Sequence, residues 1–98
     1  MNVNVHFRPE AEREVEQGYS WYEARKPGLG DEFVDELDVS VESICAYPNA
    51  VPVVHKTVRR CLLRRFPFSV LFILDSDRVV VLAVYHADRD PEGWKSRA

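Results

Sequence analysis

Two cysteines, one methionine and four glycines in 98 residues leave several common chemistries without material. A pair of cysteines makes neither a zinc site nor a disulfide framework, and Cys45 and Cys61 stand among apolar neighbours as reduced core thiols. His6, His55 and His86 share no metal-ligand spacing, so no metal and no other cofactor is expected. Gly28-Leu29-Gly30 is too short for a phosphate-cradling loop. Ser20, Ser40, Ser43, Ser69, Ser76 and Ser96 all lack the glycine elbow of a nucleophilic serine. No apolar run approaches the roughly 20 residues of a membrane span, and the opening MNVNVHF has no basic or long apolar leader region. These absences favour a cytoplasmic chain with no membrane partner. The length suits one domain, residues 1–98, and a hydrophobic content of 46% suffices for one core.

Charge is plentiful and unevenly placed. Residues 10–42 hold eleven acids against three bases, a net −8; residues 43–98 hold five acids against nine bases, a net +4. Such a division predicts two electrostatically different faces, only one of which attracts anions.

Periodicity locates the elements. Asn2–Phe7 alternates, with Val3, Val5 and Phe7 on one side, and reads as a short strand. Pro9 suits the first turn of a helix running from Glu10 to about Arg25, with Ala11, Val15, Gly18 or Tyr19, and Tyr22 inward. Lys26-Pro27-Gly28-Leu29-Gly30 breaks it. A second helix follows from about Asp31 to Ala46, burying Phe33, Leu37, Val41 and Ile44 and exposing Asp35, Asp38 and Glu42. The short turn makes the pair an antiparallel hairpin. Strands then read as Val53–Thr57, weakly, Val58–Phe66, Ser69–Leu74 and Val79–His86, with a turn at Asp75-Ser76-Asp77. Val79–His86 is apolar on both faces and belongs inside the sheet. The fold class is α+β: a small antiparallel sheet, an N-terminal strand at one edge, and a helical hairpin on one face.

Within this framework the bases stand out. Arg59, Arg60, Arg64 and Arg65 fall within seven positions. Strand alternation sends Arg60 and Arg64 to one face and Arg59 and Arg65 to the other. Lys56 and Arg64 are expected as neighbours on the open face, joined by Arg89, in a phosphate-binding concavity; edge protection by charge is the competing reading. His86, at the end of the last strand, is a candidate general acid or base. The acids of the two helices fit a solvated face, and Trp94 is placed to pin the C-terminal tail.

Taken in order, Pro9-Glu10-Ala11-Glu12-Arg13-Glu14, Tyr19 and Tyr22, Pro27-Gly28-Leu29-Gly30 before Phe33, then Pro48, Arg60, Arg64-Arg65-Phe66-Pro67-Phe68, and the tail Val84, His86, Arg89, Pro91 and Trp94 resemble toxins of the RelE/ParE superfamily. The likeness is to the ParE, or plasmid-stabilisation, side and covers nearly the whole chain. It implies the toxin of a type II toxin–antitoxin pair, able to form a hetero-oligomer with a cognate antitoxin. ParE-like members inhibit DNA gyrase without catalysis. RelE-like members cleave mRNA on the ribosome, using basic residues and a tyrosine near the C-terminus. On that pattern Lys56, Arg64 and Arg89 correspond to the basic positions, and His86 is the one evident group to activate a 2′-hydroxyl. The tyrosine falls near Trp94, which has no phenol. The resemblance therefore implies a gyrase inhibitor first, a metal-independent ribonuclease second, and an inactive antitoxin-binding member third. Arg59, Arg60, Arg64, Arg65 and Trp94 are its expected contacts with target or antitoxin.

Overall fold

The computed structural model describes residues 3–98. Strand β1 spans Asn4–Phe7, helix α1 Pro9–Arg25 and helix α2 Leu29–Ala46; strands β2 to β5 span Val53–His55, Val58–Leu62, Phe68–Asp75 and Arg78–His86; a last helical turn, α3, spans Glu92–Lys95. Asn2, the expected start of the first strand, lies outside the described residues. The five strands lie in the order β1-β5-β4-β3-β2. The last four pair antiparallel, but β1 runs parallel to β5, with Val5 opposite Val79 and Phe7 opposite Val81, so the sheet is mixed. This follows from the topology: α1 and α2 return the chain across the sheet before the meander begins.

Pro9 at the first position of α1 and Glu10 and Glu12 in its first turn suit the orphan N–H groups and the positive end of the helix dipole. Gly28, at φ 90°, turns the chain into α2, a conformation that favours glycine. Glu23, expected on the solvated face, accepts the N–H groups of Gly28 at 2.9 Å and Gly30 at 3.0 Å, closing the hairpin turn. α2 therefore starts at Leu29, two residues earlier than its first-turn acids suggest. Where the helices cross, the ring of Phe33 occupies the space that a side chain at position 18 would need.

The sheet is apolar on both sides. Between the helices and the sheet pack Ala11, Tyr22, Phe33, Leu37 and Ile44 from the helices against Leu63, Phe66, Val70, Phe72, Val79, Val81 and Val84. On the other face Val58, Leu71, Val80, Leu82, Ala83 and Tyr85 pack under Trp94. Trp94 is 6% exposed, so the tail is pinned as its sequence position suggested. Burying such large apolar side chains contributes roughly 2 kcal/mol each.

Strand β3 ends at Leu62 and not at Phe66. Beyond it the Glu36 carboxylate of α2 takes the Arg64 N–H at 2.6 Å and the Arg65 N–H at 3.0 Å, diverting both donors from the ladder. Phe66 turns down into the helix-side core, and Pro67 has no N–H to offer. The alternation expected over Val58–Phe66 thus holds only to Leu62.

Candidate functional site

The register separates the expected basic constellation. Lys56 occupies the tip of the β2–β3 hairpin, at φ 51°. Arg59 pairs with Phe72 and Leu62 with Ser69, while Phe68 pairs with His86 and Asp75 with Arg78. Measured along β4, Arg59 therefore lies four rises, or about 14 Å, from the level of His86, and Lys56, at the hairpin tip before Val58, lies further still. Arg64 lies in neither place. It shares a shallow groove with Glu32, Asp35, Glu36, Val39 and Arg65 on the α2 side. The expected convergence of Lys56, Arg64 and Arg89 on one open face is replaced by three separate locations.

The docking set disperses too. Arg59 Nη1 donates to the carbonyls of Val51 at 2.6 Å and Asn49 at 3.3 Å, bracing the turn after α2. Arg65 pairs with Glu32 at 2.6 Å on the surface. Arg60 lies on the open face, and Trp94 is almost wholly buried. These residues do not make one patch.

His86 and Arg89 do come together, through an irregularity in β5. Leu71 pairs with Ala83 and Phe72 with Val81, leaving Leu82 as an extra, bulged residue. Before the bulge, Val79 and Val81 face the helices; after it, Val84 does, and Tyr85 joins the opposite face. The slip sends His86 towards α1. Its Nδ1 accepts the Asp88 N–H at 3.0 Å, leaving Nε2 to carry the proton of the neutral ring, and Phe68 stands edge-on at 5.1 Å.

Beside the bulge sits the most connected side chain among the described residues. β1 pairs with β5 only as far as Val81. Beyond it the Val84 N–H donates to Glu14 Oε1 at 3.0 Å, and the Leu82 carbonyl accepts from Arg97 Nη1 at 3.1 Å. Glu14 also receives Arg97 Nη1 at 2.9 Å and Nη2 at 3.0 Å, and Arg89 Nη1 at 2.8 Å. Two guanidiniums thus offset one buried carboxylate. Donating hydrogen bonds to Glu14 raises the Arg97 pKa, although burial opposes the rise. The Arg89 guanidinium carbon lies over the Tyr85 ring, 4.1 Å from its centre. Glu14 is missing from the expected site residues, yet its spacing betrays it: it stands three residues after Ala11 and four before Gly18, on the buried stripe.

Two clefts flank His86 and Arg89. One, of about 450 Å³, opens between α1 and the end of the sheet, with Trp21, Tyr22, Phe68 and Val84 as apolar walls and Glu14 at its base. The other, of about 290 Å³, lies on the open face, where Arg60, Lys95, Ser69 and Tyr85 join the pair. Tyr85 is the second residue that sequence reasoning missed. It is the phenol nearest these cations, but it is 5% exposed and its O–H donates to the Asp90 carbonyl at 2.6 Å. Among the described residues, no three His, Cys, Asp or Glu side chains gather closely enough to hold a metal ion.

A helical hairpin on a small mixed sheet is an architecture that solved structures share. A chain of the chromosomal ParDE toxin–antitoxin system of P. aeruginosa superposes with a TM-score of 0.78 at 19% identity, over 88% of this chain and 97% of that one. A chain of the toxin–antitoxin complex RelBE2 of Mycobacterium tuberculosis superposes with a TM-score of 0.59 at 20% identity, over 88% and 99%. No curated protein matches in sequence. The sequence model of the ParE toxin of type II toxin–antitoxin systems matches residues 5–91. The chain belongs to that family and is a type II toxin of the ParE/RelE superfamily.

Proposed function

We propose that this toxin arrests growth without catalysis, by binding and inhibiting DNA gyrase, and that a cognate antitoxin neutralises it in a hetero-oligomer. The observation that carries the reading is the separation of Lys56 and Arg64 from each other and from His86 and Arg89. Metal-free RNA cleavage needs a group that activates the 2′-hydroxyl beside unspent cations that stabilise the phosphorane. Arg89 is already paired with Glu14, Arg64 lies among the acids of α2, and the Tyr85 phenol is engaged. ParE-like relatives are gyrase inhibitors, and the family match is to ParE.

Gyrase supercoiling in the presence of excess purified toxin tests the reading; loss of supercoiling is expected, and unimpaired supercoiling overturns it. Transcript cleavage in a translating extract, abolished by His86→Ala, would establish the ribonuclease instead. Normal growth on induction without antitoxin would mark an inactive member that only binds its antitoxin. No helix among the described residues is long and apolar enough to cross a membrane. Arg60, exposed on the open face, suits an acidic antitoxin segment, whose affinity is then expected to fall with added salt.

A further inference from the structure

We propose that the open face of the sheet, away from the helices, is the surface that engages gyrase, and that it fits a protein surface whose carboxylates surround an apolar contact. The inference rests on gyrase being the target. Strand β3 presents Val58, Arg60 and Leu62 to this face, because alternate side chains share a side. Val58 is wholly buried, whereas Leu62 is 63% exposed and Val54, which lines the same cleft, is 40% exposed. Two apolar side chains left open in one cleft and rimmed by charge have the composition of a protein interface, an apolar centre inside a polar rim.

Charge sorts the partner. The charged side chains lining this cleft are Arg60, Arg89 and Lys95, with no carboxylate among them, although the whole chain is net −3. Arg89 is already paired with Glu14. Arg60 and Lys95 form no ion pair among the described residues, so both can meet an anion. The backbone that carries Lys95 is held in place: Trp94 beside it is buried, and the Tyr85 O–H donates to the Asp90 carbonyl in the preceding turn. A surface ordered beforehand loses less freedom on binding. A nucleic-acid backbone would satisfy the cations and leave Leu62 and Val54 uncovered. The helical segment, net −8 over residues 10–42, would also repel a duplex that wrapped round the domain. A protein surface with acids around an apolar contact satisfies cations and apolar side chains together.

The test uses the full chain and DNA-free gyrase holoenzyme. Binding to the immobilised enzyme is measured by biolayer interferometry, and inhibition by plasmid supercoiling. Leu62→Asp and Arg60→Glu are each expected to weaken binding about ten-fold, the loss that marks an interface anchor, and to raise the toxin concentration needed for inhibition in proportion. Val39→Asp makes the same kind of change at an exposed position on α2, and is expected to leave both measurements unaltered. All three positions are exposed, and urea midpoints check that each variant is folded. Inhibition by the wild-type toxin that both open-face variants retain overturns this surface and leaves gyrase as the target. A wild-type toxin that neither binds nor inhibits gyrase overturns the target, and the surface with it. Tight binding to a short DNA duplex alone, abolished by the same two variants, assigns the face to nucleic acid and overturns the protein partner.

Discussion

Glu14 and Val84 lie 70 residues apart in the chain and meet in one buried hydrogen bond of 3.0 Å, from the Val84 N–H to Glu14 Oε1. The bond stands where β1 no longer pairs with β5, so a helix side chain finishes what a longer strand would have done. The same carboxylate offsets Arg97, whose side chain is 16% exposed. Removing it strands a buried guanidinium and a backbone donor together. Glu14→Ala is expected to cost about 3–5 kcal/mol in urea denaturation, the range for breaking a buried ion pair from one side. Glu14→Gln keeps an acceptor for Val84 and is expected to lose less. Equal stability of all three proteins would refute the role given to Glu14.

Gly93 is confined in a similar way from the other side of the sheet. A Cβ at this position would run into the Tyr85 hydroxyl. The Tyr85 O–H would have to leave the Asp90 carbonyl, and the turn carrying Trp94 would lift. Gly93→Ala is expected to destabilise the chain by about 1–3 kcal/mol, the usual cost of overpacking. In a Trp21→Phe background, Trp94 emission should shift to the red. An unshifted spectrum and an unchanged urea midpoint would show that α3 yields without consequence.

Much of this architecture was legible beforehand, because the hairpin and meander follow from local periodicity and turn residues. The site was less so. Expecting β3 to run to Phe66 placed Arg64 and Arg65 in a strand, when Glu36 of α2 had claimed their backbone donors. Such a bond joins residues 28 positions apart and leaves no periodic trace. The bulge at Leu82 is equally silent in VVVLAVYH, a run apolar on both faces, where a one-residue slip exchanges one valine for another. Yet that slip decides which side His86 serves. Glu14 is different: its place on the α1 stripe was visible, but a carboxylate there looks solvated until two arginines from the last residues of the chain arrive.

Acid should reveal the surface tether between α2 and the loop after β3. The hydrogen bond from Arg65 lowers the Glu32 pKa below its ordinary 4.5. A carboxyl whose pKa is depressed on folding contributes stability above its unfolded value, and loses it as the pH falls through the folded value. The stability–pH profile of Arg65→Gln is therefore expected to be flatter than that of the native chain below about pH 4.5. The difference should shrink with added salt, because both side chains are largely exposed. Superimposable acid limbs would mean that the pair contributes nothing measurable.

The two thiols should report separately on the opening of the structure. Burial raises the pKa of both Cys45 and Cys61, so thiolate is scarce at neutral pH in the folded chain. Cysteine reagents act on the thiolate, so the native protein is expected to label slowly, and denaturant to release both thiols at the rate of free cysteine. Cys61 is half-buried on β3 and pairs with Val70; Cys45 is buried near the end of α2, where its carbonyl accepts the Val3 N–H at 3.1 Å. Cys61 should therefore react first, through local opening of β3, and Cys45 only with the loss of the helix-side core. Mass-resolved labelling at low denaturant would distinguish the two, and immediate modification of both in the native state would contradict the burial that separates them.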